Sequence, residues 1–177
     1  GKVCKTSAHF MKQAFLKLYE NAKQFGLDEK YQITMECTHH GPLIDKPCIF
    51  IEIGSTEEEW RDRRAGFIVA KTIYDIISEF KPSKYHEIAI GIGGPHYCPN
   101  FNKVQLKTNV AISHVIPNYS APITEEMIKE AISKTEEEID LAVLDWKGLG
   151  TSEQRQQVLG ILDKLYINWK KTGDVGK

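Results

Sequence analysis

The sequence has 177 residues, 41% of them hydrophobic and 10% aromatic, with 23 Lys and Arg against 24 Asp and Glu for a formal charge of -1. Domains run to roughly 100–200 residues, so a single domain is the expectation, and folding at this length buries roughly 70% of the unfolded chain's surface. That composition excludes disorder for the bulk of the chain, and the balanced charge excludes a uniformly basic coat for nucleic acid while leaving room for local patches.

No window approaches the ~20 consecutive apolar residues of a bilayer-spanning helix, and Gly1-Lys2-Val3-Cys4-Lys5 lacks the apolar run of a signal peptide. The expectation is a soluble cytoplasmic chain with no membrane partner. Cys4, Cys37, Cys48 and Cys98 form no CxxC pair. They read as reduced cysteines in or near the core rather than a zinc knuckle or a redox dithiol.

In chain order, Phe10, Ala14, Phe15, Leu18, Ala22 and Phe25 recur at spacings of three and four, which predicts an amphipathic helix from Ser7 to Phe25 stopped by Gly26. Tyr31 to Cys37 alternates like a strand, and Cys48 to Ile53 is an apolar β-rich run like a strand buried on both faces. Ser55 with Glu58 makes the pattern of a capping box, opening a helix to Phe80 that Pro82 ends. Its expected buried stripe is Trp60, Phe67, Ala70, Ile73 or Tyr74, Ile77 and Phe80.

His86 to Gly91 reads as the next strand, closing a βαβ unit with the run that ends at Ile53. Strands at 109–116 and 139–145, a helix from Thr124 to Thr135 capped by Thr124, and a helix opened by Thr151 with Gln154 complete the pattern. The tail after Tyr166 reads as polar and frayed. Residues 1–177 are thus expected to form one α/β domain, a three-layer α/β/α sandwich with a mixed, mostly parallel sheet.

Ligands of open α/β sheets bind outside the carboxyl ends of the strands, and three segments stand there. Thr38-His39-His40-Gly41-Pro42 offers two imidazoles pointing different ways, for metal ligation or proton transfer. Glu52 is a carboxylate within an apolar strand, where burial demands a partner, a metal or a proton. Gly91 to Pro99 is a glycine turn carrying His96 and Tyr97, in which the Gly93 and Gly94 amides can hold an oxyanion or a phosphate.

That turn fits neither GxxxxGK[ST] nor GxGxxG. His114 reads as a satisfied core histidine, while Trp146 and Lys147, just past a strand, can shape a pocket or contact a nucleotide. The stretch Glu125 to Asp140 carries seven carboxylates against two lysines and reads as a solvated helix face.

Four motifs, Thr38-His-His-Gly-Pro42, Phe50-Ile-Glu-Ile-Gly-Ser55 leading to Glu59-Trp60, Gly91-Ile-Gly-Gly-Pro-His-Tyr97 and Leu144-Asp-Trp-Lys-Gly-Leu149, stand in the order and approximate spacing of the archaeal and plant type of D-aminoacyl-tRNA deacylase. The sequence resembles that family over most of its length. The resemblance implies a fold of the phosphorylase and peptidyl-tRNA hydrolase type. It implies a hydrolase that cleaves the ester between a D-amino acid and the terminal ribose of tRNA, in chiral proofreading of translation. It also implies zinc as cofactor, aminoacylated tRNA as partner, and a further segment ahead of Ser7.

On that basis His39, His40, Glu52 and His96 are the expected catalytic group, with His40, Glu52 and His96 as candidate zinc ligands. Gly93, Gly94, Tyr97, Trp146 and Lys147 are expected to bind substrate. Either zinc activates a water, or a histidine acts as general base while Gly93 and Gly94 hold the oxyanion. Residues 1–30 hold six lysines against three acids and residues 147–177 six bases against three, which with Arg61, Arg63 and Arg64 are candidate phosphate contacts. A monomer is expected.

Two other readings fit the same residues. One is a zinc amidohydrolase or peptidase acting on small acyl compounds. The other is a noncatalytic RNA-binding module in which His39, His40 and Tyr97 stack on bases.

Overall fold

The computed structural model describes residues 2–39, 43–54 and 56–176. Ser7 opens helix α1 (Ala8–Gln24) by accepting a hydrogen bond from Phe10 N, and Gly26 follows its end with positive φ. The predicted second helix is two helices. Thr56 and Glu59 form the capping box of a short α2 (Glu57–Trp60), and Asp62 caps α3 (Arg63–Glu79) by accepting from Arg64 N and Ala65 N. Arg61 caps the end of the first and Asp62 the start of the second; Ser55, the expected cap, lies outside the described residues.

Beyond Pro82 the chain alternates strand and helix: β1 (Glu87–Ile92), α4 (Pro99–Lys107), β2 (Val110–Ile116), α5 (Glu125–Ser133), β3 (Leu141–Leu144), α6 (Ser152–Lys164) and β4 (Asn168–Lys171). A 3-10 turn, Asn118–Ser120, follows β2. The strands lie in the order β2-β1-β3-β4 and every pair is parallel, so the sheet is wholly parallel rather than mixed. Thr124 caps α5 and the Thr151–Gln154 capping box opens α6, both as expected.

Side chains alternate across this sheet and divide the core in two. Ala89, Leu141 and Val143 pack on one face with Phe15 of α1 and with Phe101 and Val104 of α4. Ile90, Ile92, Ala142 and Leu144 pack on the other with Ile128 and Ala131 of α5 and with Val158 and Leu162 of α6. The expected three layers are present, with α3 seated on α1 outside the first face. Among the described residues no helix is long and apolar enough to cross a membrane.

Three expectations are corrected. Residues 31–37 and 48–53 have the strand pattern but join no ladder: Met35 N donates to Asn102 Oδ1, Cys37 N to His96 O and Cys48 N to Lys5 O. The βαβ units therefore run through β1, β2, β3 and β4, and none includes residues 48–53. The stripe expected of the second helix faces out, with Trp60 of α2 62% exposed and Tyr74 and Ile77 of α3 72% and 73% exposed. The buried side of α3 instead carries Ala65, Ile68, Thr72, Asp75 and Ile76, because Asn21 of α1 donates to Thr72 Oγ1 and Asp75 Oδ2 and registers the helices through polar contacts. The tail is not frayed, since β4 pairs residue for residue with β3.

Candidate active site

Two strand ends and one irregular segment build the site. At the carboxyl end of β1, Gly93 N donates to Ile116 O, and the chain turns through Gly94 and Pro95 to His96. At the end of β2, Asn118 N donates to Gly94 O and sets Tyr119 beside that turn. Residues 36–39 are stitched onto both strands by Cys37 N donating to His96 O and Thr38 N to Val115 O. These two bonds bring His39 to His96.

The two imidazoles meet edge to face with ring centroids 4.5 Å apart. Glu36 stands between them, its Oε2 lying 3.6 Å from His39 Nε2 and 3.6 Å from His96 Nε2. His39 Nδ1 lies 2.6 Å from Cys37 O. A carbonyl only accepts, so Nδ1 carries the proton and the basic lone pair of His39 sits on Nε2, toward Glu36. His96 Nδ1 is 3.2 Å from the Tyr119 hydroxyl and 3.4 Å from Cys37 Sγ, and those two partners are 2.7 Å apart.

Burial pushes the Cys37 thiol up. The contact with Cys37, with burial behind it, pushes the Tyr119 phenol up to about 12. Both are protonated donors at neutral pH. Tyr97 packs against His96 edge to face at 4.8 Å and is half exposed.

Cys37, His39 and His96 each offer a ligand atom within 4.8 Å of the others. One sulfur and two imidazole nitrogens are a donor set that suits zinc, and the Nδ1–H of His39 bonded to a carbonyl is the outer support that a ligating histidine commonly has. The residues therefore fit a zinc ion, although the group differs from the expected His40, Glu52 and His96. Glu52 is exposed, which removes the burial argument for it, and it lines a cavity of about 560 Å³ between α1, α3 and residues 30–39 and 48–54. Glu36, Cys37, Thr38 and His39 are at the wall of that same cavity, while His40 lies outside the described residues.

Close approach holds the glycine turn. Gly93 and Gly94 both have positive φ, and a Cβ on Gly94 would lie 2.9 Å from Asp145 Oδ2. The Gly93 amide is already donated, so it does not face a substrate oxygen. Asp145, buried at the end of β3, accepts from Asn100 Nδ2 and Gly148 N and closes the floor of the turn.

Trp146 and Lys147 follow it at the same carboxyl end of the sheet. His114 is buried with Nε2 3.2 Å from Lys134 O and Nδ1 3.1 Å from Thr38 Oγ1, a satisfied core residue. Of the candidate arginines, Arg61 pairs with Glu57 and Arg64 donates to Phe25 O. Sequence reasoning missed Glu36, Cys37 and Tyr119. For the first two a signal existed, since Glu36-Cys37-Thr38-His39 gathers three ligating types at the end of an alternating run.

The family model for D-aminoacyl-tRNA deacylase matches residues 1–170. The chain is similar to the D-aminoacyl-tRNA deacylase of Thermococcus kodakarensis, 42% identical over 160 residues that cover 90% of this chain and 56% of the relative. It is also similar to that of Methanocaldococcus jannaschii, 34% identical over 176 residues, covering 96% of this chain and 68% of the relative. The crystal structure of a conserved protein of unknown function superposes with a TM-score of 0.85 at 32% identity, over 98% of this chain and 60% of that one. The chain thus spans a little over half the length of several of the curated relatives it matches.

Proposed function

The chain belongs to the D-aminoacyl-tRNA deacylase family, and from that premise we propose that it hydrolyses the ester bond of D-aminoacyl-tRNA, releasing tRNA and the free D-amino acid in the cytoplasm. The observation that carries the reading is the convergence of His39 and His96 on Glu36 at the carboxyl end of the sheet.

An aminoacyl ester is already activated, so the protein has to place a water, remove its proton and stabilise the tetrahedral oxyanion. His39 is suited to the proton step. Its tautomer is fixed by Cys37 O, leaving Nε2 basic, and Glu36 stabilises the imidazolium formed when that nitrogen takes a proton. Around His96, the Tyr119 hydroxyl and Cys37 thiol fill the Nδ1 side, which favours an Nε2–H on the side of Glu36, ready to donate to the oxyanion or the leaving ribose oxygen. Gly94, Pro95 and the Asp145 floor hold His96 in that position.

Zinc is the alternative to this base step, because His39 Nε2 cannot both ligate an ion and take the proton. There Cys37, as its thiolate, His39 and His96 would hold the ion, which would supply Lewis-acid charge that acidifies a water and favours the oxyanion. The deciding experiment is deacylation of matched D- and L-tyrosyl-tRNA with and without a chelator. D-selective release is the expected result; its loss on chelation assigns the water to zinc, and its persistence assigns the proton step to His39. Equal hydrolysis of both esters, or hydrolysis of acyl-amino acids alone, would overturn the reading.

A further inference from the structure

The tryptophan corner at the end of β3 is the strongest feature that the site above does not use. Trp146 stacks on Trp169 of β4 with ring centroids 6.1 Å apart and planes 12° from parallel. Lys171 Nζ lies 4.2 Å from the Trp146 ring centre, and the Arg155 guanidinium of α6 stands 5.2 Å from it. The register explains the grouping. Trp169 and Lys171 pair with Ala142 and Leu144, so both point to the face that α6 covers, where Arg155 arrives one turn into that helix.

The charge of this corner is unbalanced. Among the described residues neither Lys171, Arg155 nor Lys147 makes an ion pair with a carboxylate, whereas Lys170, the intervening residue on the opposite face, is bound to Glu87 at 2.8 Å. Arg155 Nε is shielded from solvent and has no hydrogen-bond partner. A cation over an indole face keeps most of its capacity for an anion, because the ring supplies only part of a counter-charge. Two stacked indoles with two such cations, and Lys147 next to Trp146 in the chain, suit a ligand that is at once planar and anionic.

The corner also lies at the working end of the sheet. Asp145 N donates to Ile92 O, Thr172 N donates to Leu144 O, and Asp145 packs on Gly94 at the start of the turn to His96. We propose that Trp146, Trp169, Lys171, Arg155 and Lys147 bind single-stranded RNA, taking a base against the indoles and its phosphodiester on the cations. The inference rests on the deacylase reading for its biological meaning, since the nucleotides preceding an esterified terminal ribose must cross the protein next to the reacting bond. It stands or falls on binding alone.

The test uses the Trp60→Phe protein, in which the remaining tryptophans are Trp146 and Trp169. A six-nucleotide single-stranded RNA ending in CCA is titrated in by tryptophan fluorescence across a salt series, with the same RNA as a blunt duplex for comparison. Quenching with preference for the single strand is expected. Lys171→Gln with Arg155→Gln should weaken binding about tenfold or more and reduce the slope of log affinity against log salt by ~1.4, since each phosphate contact to a single strand contributes ~0.7.

Lys171→Arg with Arg155→Lys, which keeps both charges, should restore most of the affinity. Should the neutral pair fail to fold, protection of the Trp60→Phe protein's fluorescence from acrylamide by the RNA provides the readout. No binding by the starting protein, or an unchanged affinity and salt slope in the neutral pair, overturns the proposal. Binding in a protein that releases no D-amino acid would uphold it while sinking the deacylase reading.

Discussion

Gly148 touches Gly94 backbone to backbone. A Cβ placed on Gly148 would stand 2.3 Å from Gly94 N and 2.6 Å from its Cα, and neither atom can swing aside as a side-chain tip would. The contact clamps the loop after β3 against the turn after β1, the turn that delivers His96. Gly148→Ala should cost roughly 1–3 kcal/mol as an overpacked contact, lowering Tm by several degrees, with a loss of deacylation beyond what partial unfolding explains.

Gly160 supplies the control. It sits within α6, exposed, with nothing within 4 Å of its missing Cβ. Gly160→Ala should therefore stabilise the protein by roughly 0.5–1 kcal/mol through helix propensity. Thermal melts of the two alanine variants against the parent check both, and a higher melting point for Gly148→Ala would contradict the packing argument.

Glu36 separates the electrostatic part of the site from its shape. Glu36→Gln keeps the volume between His39 and His96 and removes the charge that stabilises an imidazolium on either ring. Deacylation should fall on the order of 10–100-fold, the usual range when an outer partner of a working histidine is lost, and the fall should be in kcat. An unchanged kcat with a raised KM would move Glu36 from the proton step to substrate binding.

How much of this was legible in the sequence depends on whether the deciding interaction was local. The Thr124 cap, the Thr151–Gln154 box and the apolar strands β1, β2 and β3 were read correctly because caps and buried runs are properties of a few adjacent residues. Residues 31–37 alternate as a strand does, yet a ladder needs a partner elsewhere in the chain. Their amides found Asn102 Oδ1 and His96 O instead.

The α3 stripe was misplaced for a similar reason. Asn21, Thr72 and Asp75 settle that helix interface through polar bonds, which a count of apolar spacing does not register. In the site, His39 and His96 were legible as histidines beyond strand patterns. Tyr119 was not, because only the turn after β2 brings it to His96.

His114 gives the acid side of the stability curve. Burial pulls its pKa below the ordinary 6.5, with the hydrogen bond to Lys134 O opposing. The unfolded chain therefore binds a proton near pH 6.5 that the folded chain refuses, so the His114 contribution is intact at neutral pH and is lost progressively as pH falls below about 6.5. The parent should lose stability between pH 7 and pH 5 in denaturant titrations. His114→Gln should be weaker at pH 7 but flatter over that interval, and a parent curve just as flat would contradict the assignment.

Lys12 governs the alkaline side. Its side chain is 1% exposed, and Nζ donates to Thr108 O at 2.5 Å and to Val110 O at 2.7 Å, with the Tyr85 ring centre 4.7 Å away. Burial, assisted by the charge of Lys84, lowers its pKa from 10.5 to about 8. Between those values the unfolded chain holds a proton that the folded chain has released, so this group makes the protein more stable as pH rises from about 8 toward 10.5, and the penalty is full below 8.

The buried thiols act the other way. Cys98, pushed up to about 12 by burial, resists ionisation in the fold and favours unfolding as pH passes the ordinary thiol value of 9.0. The two effects partly cancel in the parent. Lys12→Met should remove the first alone, so its stability should decline more steeply than the parent's between pH 8 and pH 10. At pH 7 the variant loses the buried charge but leaves Thr108 O and Val110 O without this donor, a cost of roughly 1–3 kcal/mol. Parallel stability curves for the two proteins from pH 8 to pH 10 would show that Lys12 keeps its proton in the fold, held by the two carbonyls.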